Sequence, residues 1–119
     1  MTELSFHFRK CERLKDKKEI QRLFKEGKKC SCEGAKLFFQ GNHLSYNRVV
    51  FTCARNYGNA VQRNYSRRLS REAYRLMKHQ LFSGYDIVVL IYPGKDEFQE
   101  RLKQLQVLFK KAGLLRRTE

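Results

Sequence analysis

The spacing of apolar positions changes period several times along the chain. Ile20, Leu23 and Phe24 recur at the i, i+3, i+4 interval of one helical face, which predicts a helix over about Lys17–Glu26. Asp16 stands where an N-cap is needed and Gly27 where the helix would stop. Residues 30–40 read as a strand, with Leu37, Phe38 and Phe39 near its end. Gly41-Asn42-His43 and Ser45-Tyr46-Asn47 carry turn chemistry for a hairpin into a second strand, Arg48–Cys53, rich in β-branched and aromatic residues. Asn56-Tyr57-Gly58-Asn59 breaks the pattern and leads into a long helix over about Ala60–Gln80, stopped by Ser83-Gly84. The unbroken run Ile87-Val88-Val89-Leu90-Ile91 marks a buried strand over Asp86–Tyr92. Pro93-Gly94 turns the chain into a last helix, about Asp96–Ala112, with Phe98, Leu102, Leu105, Leu108 and Phe109 on one face. Residues 1–12 are expected to be loosely ordered and 114–119 to fray. Helix, strands, helix, strand, helix in a chain of 119 residues is the order of a single two-layer α/β domain, its sheet covered by helices.

Charge narrows what such a domain does. Lys and Arg number 26 against 12 Asp and Glu, a formal charge of +14, and that self-repulsion points to a polyanionic partner. Hydrophobic residues make up 41% and aromatics 13%, which excludes whole-chain disorder. No apolar run approaches the roughly 20 residues of a membrane span. The N-terminal residues lack the apolar core of a secretory signal, so a cytoplasmic location is expected, with no membrane partner. Cys11, Cys30, Cys32 and Cys53 then read as reduced thiols packing as small hydrophobes. Cys30-Ser-Cys32 does not have zinc-ribbon spacing, and no metal ligands are assigned. His7, His43 and His79 are scattered without a partnering acid, so no catalytic residue is assigned. Asp86 and Asp96 read as a strand start and a helix cap.

The chemistry concentrates in Arg55–Lys78, where Arg55, Arg63, Arg67, Arg68, Arg71, Arg75 and Lys78 face a single acid, Glu72. Arg63, Arg67, Arg71 and Arg75 recur every four residues, a slowly winding stripe. Val61, Tyr65, Leu69, Ala73 and Leu76 form the opposing stripe, expected to pack onto the sheet. An ordinary solvated helix face mixes signs. A one-sign arginine array, whose forked guanidinium groups suit bidentate phosphate contact, favours RNA. Gly58-Asn59-Ala60 supplies a backbone position open to positive φ and an N-cap, and a helix N-terminus attracts phosphate.

The run Gly58-Asn59-Ala60-Val61-x-Arg63-Asn64-x-x-Arg67-Arg68-x-x-Arg71-Glu72 resembles the signature of the bacterial ribonuclease P protein subunit. Arg13-Leu14, Phe24, Gly27, Arg48-Val49, Asp86-Ile87-Val88 and the leucine-rich last helix extend the likeness over nearly the whole chain. The resemblance implies an α/β sandwich of three helices and one mixed sheet of about four strands, with a left-handed βαβ crossover where the general rule gives the right-handed one. It implies a partner RNA that carries the catalytic groups and holds magnesium, and a second partner, precursor tRNA, whose 5′ leader is removed. Carried over, Arg55, Asn59, Arg63, Asn64, Arg67, Arg68, Arg71 and Arg75 would contact the catalytic RNA. Ile20, Phe24 and Phe38 or Phe39, both candidates because the strand register is open by one residue, would line a cleft for the single-stranded leader. Tyr65, Asn56 and Tyr92 depart from the family pattern, each removing one phosphate contact, and Tyr65 is expected to pack. A ribosome- or translation-associated RNA-binding protein is the rival from another class. DNA reading is disfavoured, because the helix offers few side chains suited to base edges.

Overall fold

The computed structural model describes residues 8–116. Its elements are α1 (Lys17–Glu26), β1 (Lys28–Cys32), β2 (Ala35–Gly41), β3 (Arg48–Cys53), α2 (Ala60–Met77), β4 (Tyr85–Ile91) and α3 (Phe98–Ala112), with 3₁₀ turns at Lys10–Glu12 and Lys78–Gln80. The strands form one mixed sheet in the order β1-β2-β4-β3, antiparallel except for the β3–β4 pair. The apolar run of β4 takes an interior place, which accounts for its continuous hydrophobicity: Ile87, Val88 and Val89 are all fully buried. Helix α2 is the crossover between the parallel strands β3 and β4.

Alternation along the strands divides the core. On one face Ala35, Leu37, Phe39, Val49, Phe51, Ile87, Val89 and Ile91 pack under α2 and α3, closed by Tyr74, Met77, Leu105, Leu108 and Phe109. On the other, Phe38 and Val88 pack with Leu14 and Leu23 beneath α1. Asp16 Oδ1 caps α1 by accepting from the backbone N–H groups of Lys18 and Glu19, and Gly27 ends it, as its position in the sequence implied. A side chain at Gly27 would lie 2.7 Å from the Leu23 carbonyl oxygen.

Five expectations are corrected. The segment 30–40 is not one strand but the hairpin β1–β2, reversed at Glu33-Gly34 with Gly34 at φ +86°. The hairpin expected between it and Arg48–Cys53 does not form, because β4 lies between β2 and β3. The α-helical part of the central helix ends at Met77, and α3 begins at Phe98 rather than Asp96. Asp96 is not a cap: its Oδ1 accepts from the Tyr57 hydroxyl and from Arg101. Of the ends expected to be loose, residues 1–7 and 117–119 lie outside the described residues, and the parts that are described are docked. Phe8 packs on Tyr74 with ring centroids 5.6 Å apart, and Glu12 pairs with Lys78 at 2.8 Å. Leu114 is buried, and Arg116 donates its backbone N–H to the Gln80 carbonyl, so the first part of the tail is docked. Cys30 and Cys32 turn toward α3, where burial raises both thiol pKa values, whereas Cys11 is exposed.

Candidate nucleic-acid interface

Helix α2 starts where the sequence indicates. Asn59 Oδ1 accepts from the Gln62 N–H at 2.9 Å, and Gln62 Oε1 accepts from the Asn59 N–H at 3.0 Å, a reciprocal capping box. Gly58 stands at φ +105°, and a Cβ there would lie 2.2 Å from Gln62 Oε1, so the entry to the helix needs glycine.

The face that α2 buries is not the expected one. Ser66, Ser70, Ala73, Tyr74 and Met77 are buried. Of the expected apolar stripe only Ala73 is buried; Leu69 is half-buried, and Val61, Tyr65 and Leu76 are 77%, 53% and 39% exposed. The helix therefore sits rotated so that a serine pair meets α3, and Tyr65 stands in solvent rather than packing.

This rotation sets the arginines. Arg68 and Asn64 are exposed, as are Arg55 and Asn59. Arg63 is half-buried and donates from Nη2 to the Arg55 carbonyl oxygen at 2.7 Å, tying the loop before α2 to its first turn. Arg67 donates to Asn64 Oδ1. Arg75 pairs with Glu72, so the one acid of the helix is engaged at its C-terminal end and leaves Arg67, Arg68 and Arg71 to themselves. The Arg71 pKa is lowered, first by burial and then by the charges of Arg13, Arg67 and Arg68. Cations that depress one another this way gain most when an anion enters between them.

Arg67 and Arg71 form one rim of a cavity of about 360 Å³ between α1, the edge strand β3 and α2. Arg13 and Lys15 form the rest of the cationic rim; Ile20, Phe24 and Val50 supply the apolar floor, and among the described residues no Asp or Glu lines it. Phe24 is 40% exposed and meets Phe38 edge-on at 4.8 Å. Phe38 is buried beneath it, with Lys36 Nζ 6.0 Å from its ring centroid. Phe39 is corrected: period-two alternation turns it to the opposite face, against Tyr85 in the main core, so it takes no part in the cleft. Arg48 holds the cleft wall in place by bridging Glu19 of α1 (2.8 Å) and Asp86 of β4 (2.6 Å), bonds that raise its pKa.

The structure thus brings Ile20, Phe24, Arg67 and Arg71 together, places Arg55, Asn59, Asn64 and Arg68 on the adjacent open surface, and sets Arg63 and Arg75 in internal bonds. Arg13, Lys15 and Phe8 at the cleft were not singled out as site residues from sequence. Arg13 could have been, from its place beside buried Leu14, which pairs with Val49 and so pins Arg13 to the sheet edge. Among the described residues no group of three or more His, Cys, Asp or Glu is placed to hold a metal ion. No helix among them is long and apolar enough to cross a membrane.

A family profile described as Ribonuclease P matches residues 8–113. The ribonuclease P protein component of Thermotoga maritima is 35% identical over 112 residues, covering 94% of this chain and 96% of that one. The solved ribonuclease P protein of the same organism superposes with a TM-score of 0.67 at 34% identity, covering 91% of this chain and 98% of that one. The Staphylococcus aureus ribonuclease P protein, 22% identical, shares the fold with a TM-score of 0.78, covering 87% and 97% of the two chains.

Proposed function

The chain belongs to the ribonuclease P protein family, the protein component of the enzyme that processes the tRNA 5′ end; from that premise we propose how its surface divides the work. The open flank of α2, with Arg55, Asn64, Arg67 and Arg68, grips the phosphates of the catalytic RNA. The cleft between α1 and β3 takes the single-stranded 5′ leader of precursor tRNA. The observation that carries this reading is that Arg67 belongs to both surfaces: it stands on the flank of α2 with Arg68 and, with Arg71, also rims the cleft.

Each part has a physical rationale. Guanidinium groups without acids nearby exchange condensed counterions for phosphate contacts, a term that depends on salt and not on sequence. An unpaired strand binds through backbone charge and stacking on aromatic faces, about 1–3 kcal/mol per base, and Phe24 offers such a face above a cationic rim. Neither term supplies a nucleophile or a proton. Bond cleavage is therefore assigned to the RNA and the magnesium it holds, while this chain orients the leader and screens phosphate repulsion between the two RNAs. The site of this work is the cytoplasm.

Reconstitution with the catalytic RNA at low magnesium tests the reading. Added protein should stimulate release of the 5′ leader and tighten binding of precursor tRNA over mature tRNA. A protein that binds the catalytic RNA but leaves both quantities unchanged would overturn the cleft assignment.

A further inference from the structure

Behind the open flank of α2 lies an arginine of a different kind. Arg101 of α3 is only 2% exposed, yet its guanidinium is bonded on every nitrogen. Nε donates to Gln104 Oε1 at 2.9 Å, Nη2 to Asp96 Oδ1 at 2.8 Å, and Nη1 to Ser66 Oγ at 3.2 Å and to Ser70 Oγ. The same Asp96 oxygen accepts from the Tyr57 hydroxyl, in the loop that leads into α2. Gln104 Nε2 continues to the Glu33 carbonyl of the β1–β2 turn at 3.1 Å. One buried cation thus joins α3, α2, the loop before α2 and the hairpin.

Burying a charge is costly, and apolar side chains of similar volume would pack two helices as well or better. What they would not do is fix rotation. A planar fork with directed donors holds its acceptors at set angles, and Ser66 and Ser70 lie one turn apart on the same stripe of α2. Arg67 and Arg71 each follow one of these serines, displaced by about 100° around the helix. Anchoring the serines therefore aims the arginines.

We infer that Arg101 is a positioning residue for the RNA-binding face: through Ser66 and Ser70 it sets the rotation of α2 and so aims Arg67 and Arg71 for phosphate contact. The inference rests on the assignment of α2 and the cleft to RNA.

The test is a double-mutant cycle on the salt dependence of binding to the catalytic RNA, each protein first checked for folding by its melting curve. Arg67→Ala in the wild type should flatten the slope of log affinity against log salt by about 0.7–0.9, one phosphate contact. Arg101→Met should flatten it by about as much or more without touching RNA. In the Arg101→Met background, Arg67→Ala should then add little. Arg101→Lys keeps the charge beside Asp96 but not the fork, and is the variant to use if Arg101→Met does not fold; it should restore thermal stability more than slope. A lower melting temperature with the wild-type slope, and full additivity with Arg67→Ala, would show Arg101 to be structural only and overturn the inference alone. A wild-type protein whose binding shows no salt dependence would overturn the RNA assignment of α2, and the inference with it.

Discussion

Leu37 and Phe38 are neighbours in the chain and stand on opposite faces of β2, one sealed and the other beside an opening. Leu37 is fully buried under α2 and α3, among Leu105, Leu108 and Phe109, none of which reaches solvent. Among the described residues, α1 is the one helix over Phe38's face, ten residues and so about 15 Å long, too short to roof that side of the sheet even with Leu14 packed beside it. Ile20, Val50 and Leu90 remain partly exposed there, and Phe24 more so. The same strand alternation thus produces a sealed core on one side and an open cleft on the other. The difference comes from how much helix each face receives. In the opening the unburied apolar area is ringed by cations, Arg13 and Lys15 beside β3 and Arg67 and Arg71 of α2, which makes it suited to a charged, partly aromatic ligand.

Four substitutions break or sharpen this contrast. The largest effect on stability belongs to the sealed face, where Phe109→Ala should cost about 3–5 kcal/mol and be read as a lowered urea midpoint. Arg48→Met comes next. It leaves Asp86, a mostly buried carboxylate, without its main partner and removes the ion pair that ties Glu19 of α1 to the sheet. Because Arg48 is itself partly exposed, the loss should be nearer about 1–3 kcal/mol than the full cost of breaking a buried pair. Phe24→Ala should change the melting temperature little but weaken leader binding by about 1–3 kcal/mol, seen as a smaller preference for precursor over mature tRNA. Should Phe24→Ala unfold the protein as Phe109→Ala does, the two faces would be equivalent and the opening merely core.

Glu72→Gln should have the smallest effect. Hydrogen bonding to Arg75 holds the Glu72 carboxyl below its ordinary value of 4.5. A lowered native pKa means stability that is present above pH 4.5 and lost as pH falls through the native value. The pair is exposed, so the variant should remove only a shallow part of the acid limb of the stability curve. It should also leave binding to the catalytic RNA slightly tighter at low salt.

The sequence was most legible where local chemistry and tertiary position agree. Leu105, Leu108 and Phe109 repeat at helical spacing and are buried; Gly58 and Asn59 announce a positive φ and a cap, and both occur. It was least legible where polar residues carry the packing. β1, Lys-Lys-Cys-Ser-Cys, has no large apolar position, so the reversal at Gly34 passed as part of one long strand. Ser66 and Ser70 read as solvated positions because only the buried guanidinium of Arg101, far away in sequence, makes them interior. Missing that partner shifts the apparent buried face of α2 toward Val61 and Tyr65, which are exposed. Phe39 was misplaced for a simpler reason: without a known register, adjacent phenylalanines on a strand cannot be assigned to faces. The arginine cluster itself was legible because one-sign charge on a helix conflicts with stability and so points to a partner.

Site-directed photocrosslinking tests the central division of the surface most directly. A benzophenone amino acid placed singly at Lys15, Arg68 and Val107 in the assembled holoenzyme, with precursor tRNA bound, samples the cleft, the open flank of α2 and the outer side of α3. The account predicts leader crosslinks from Lys15, catalytic-RNA crosslinks from Arg68, and neither from Val107. Leader crosslinks from Val107, with none from Lys15, would contradict it.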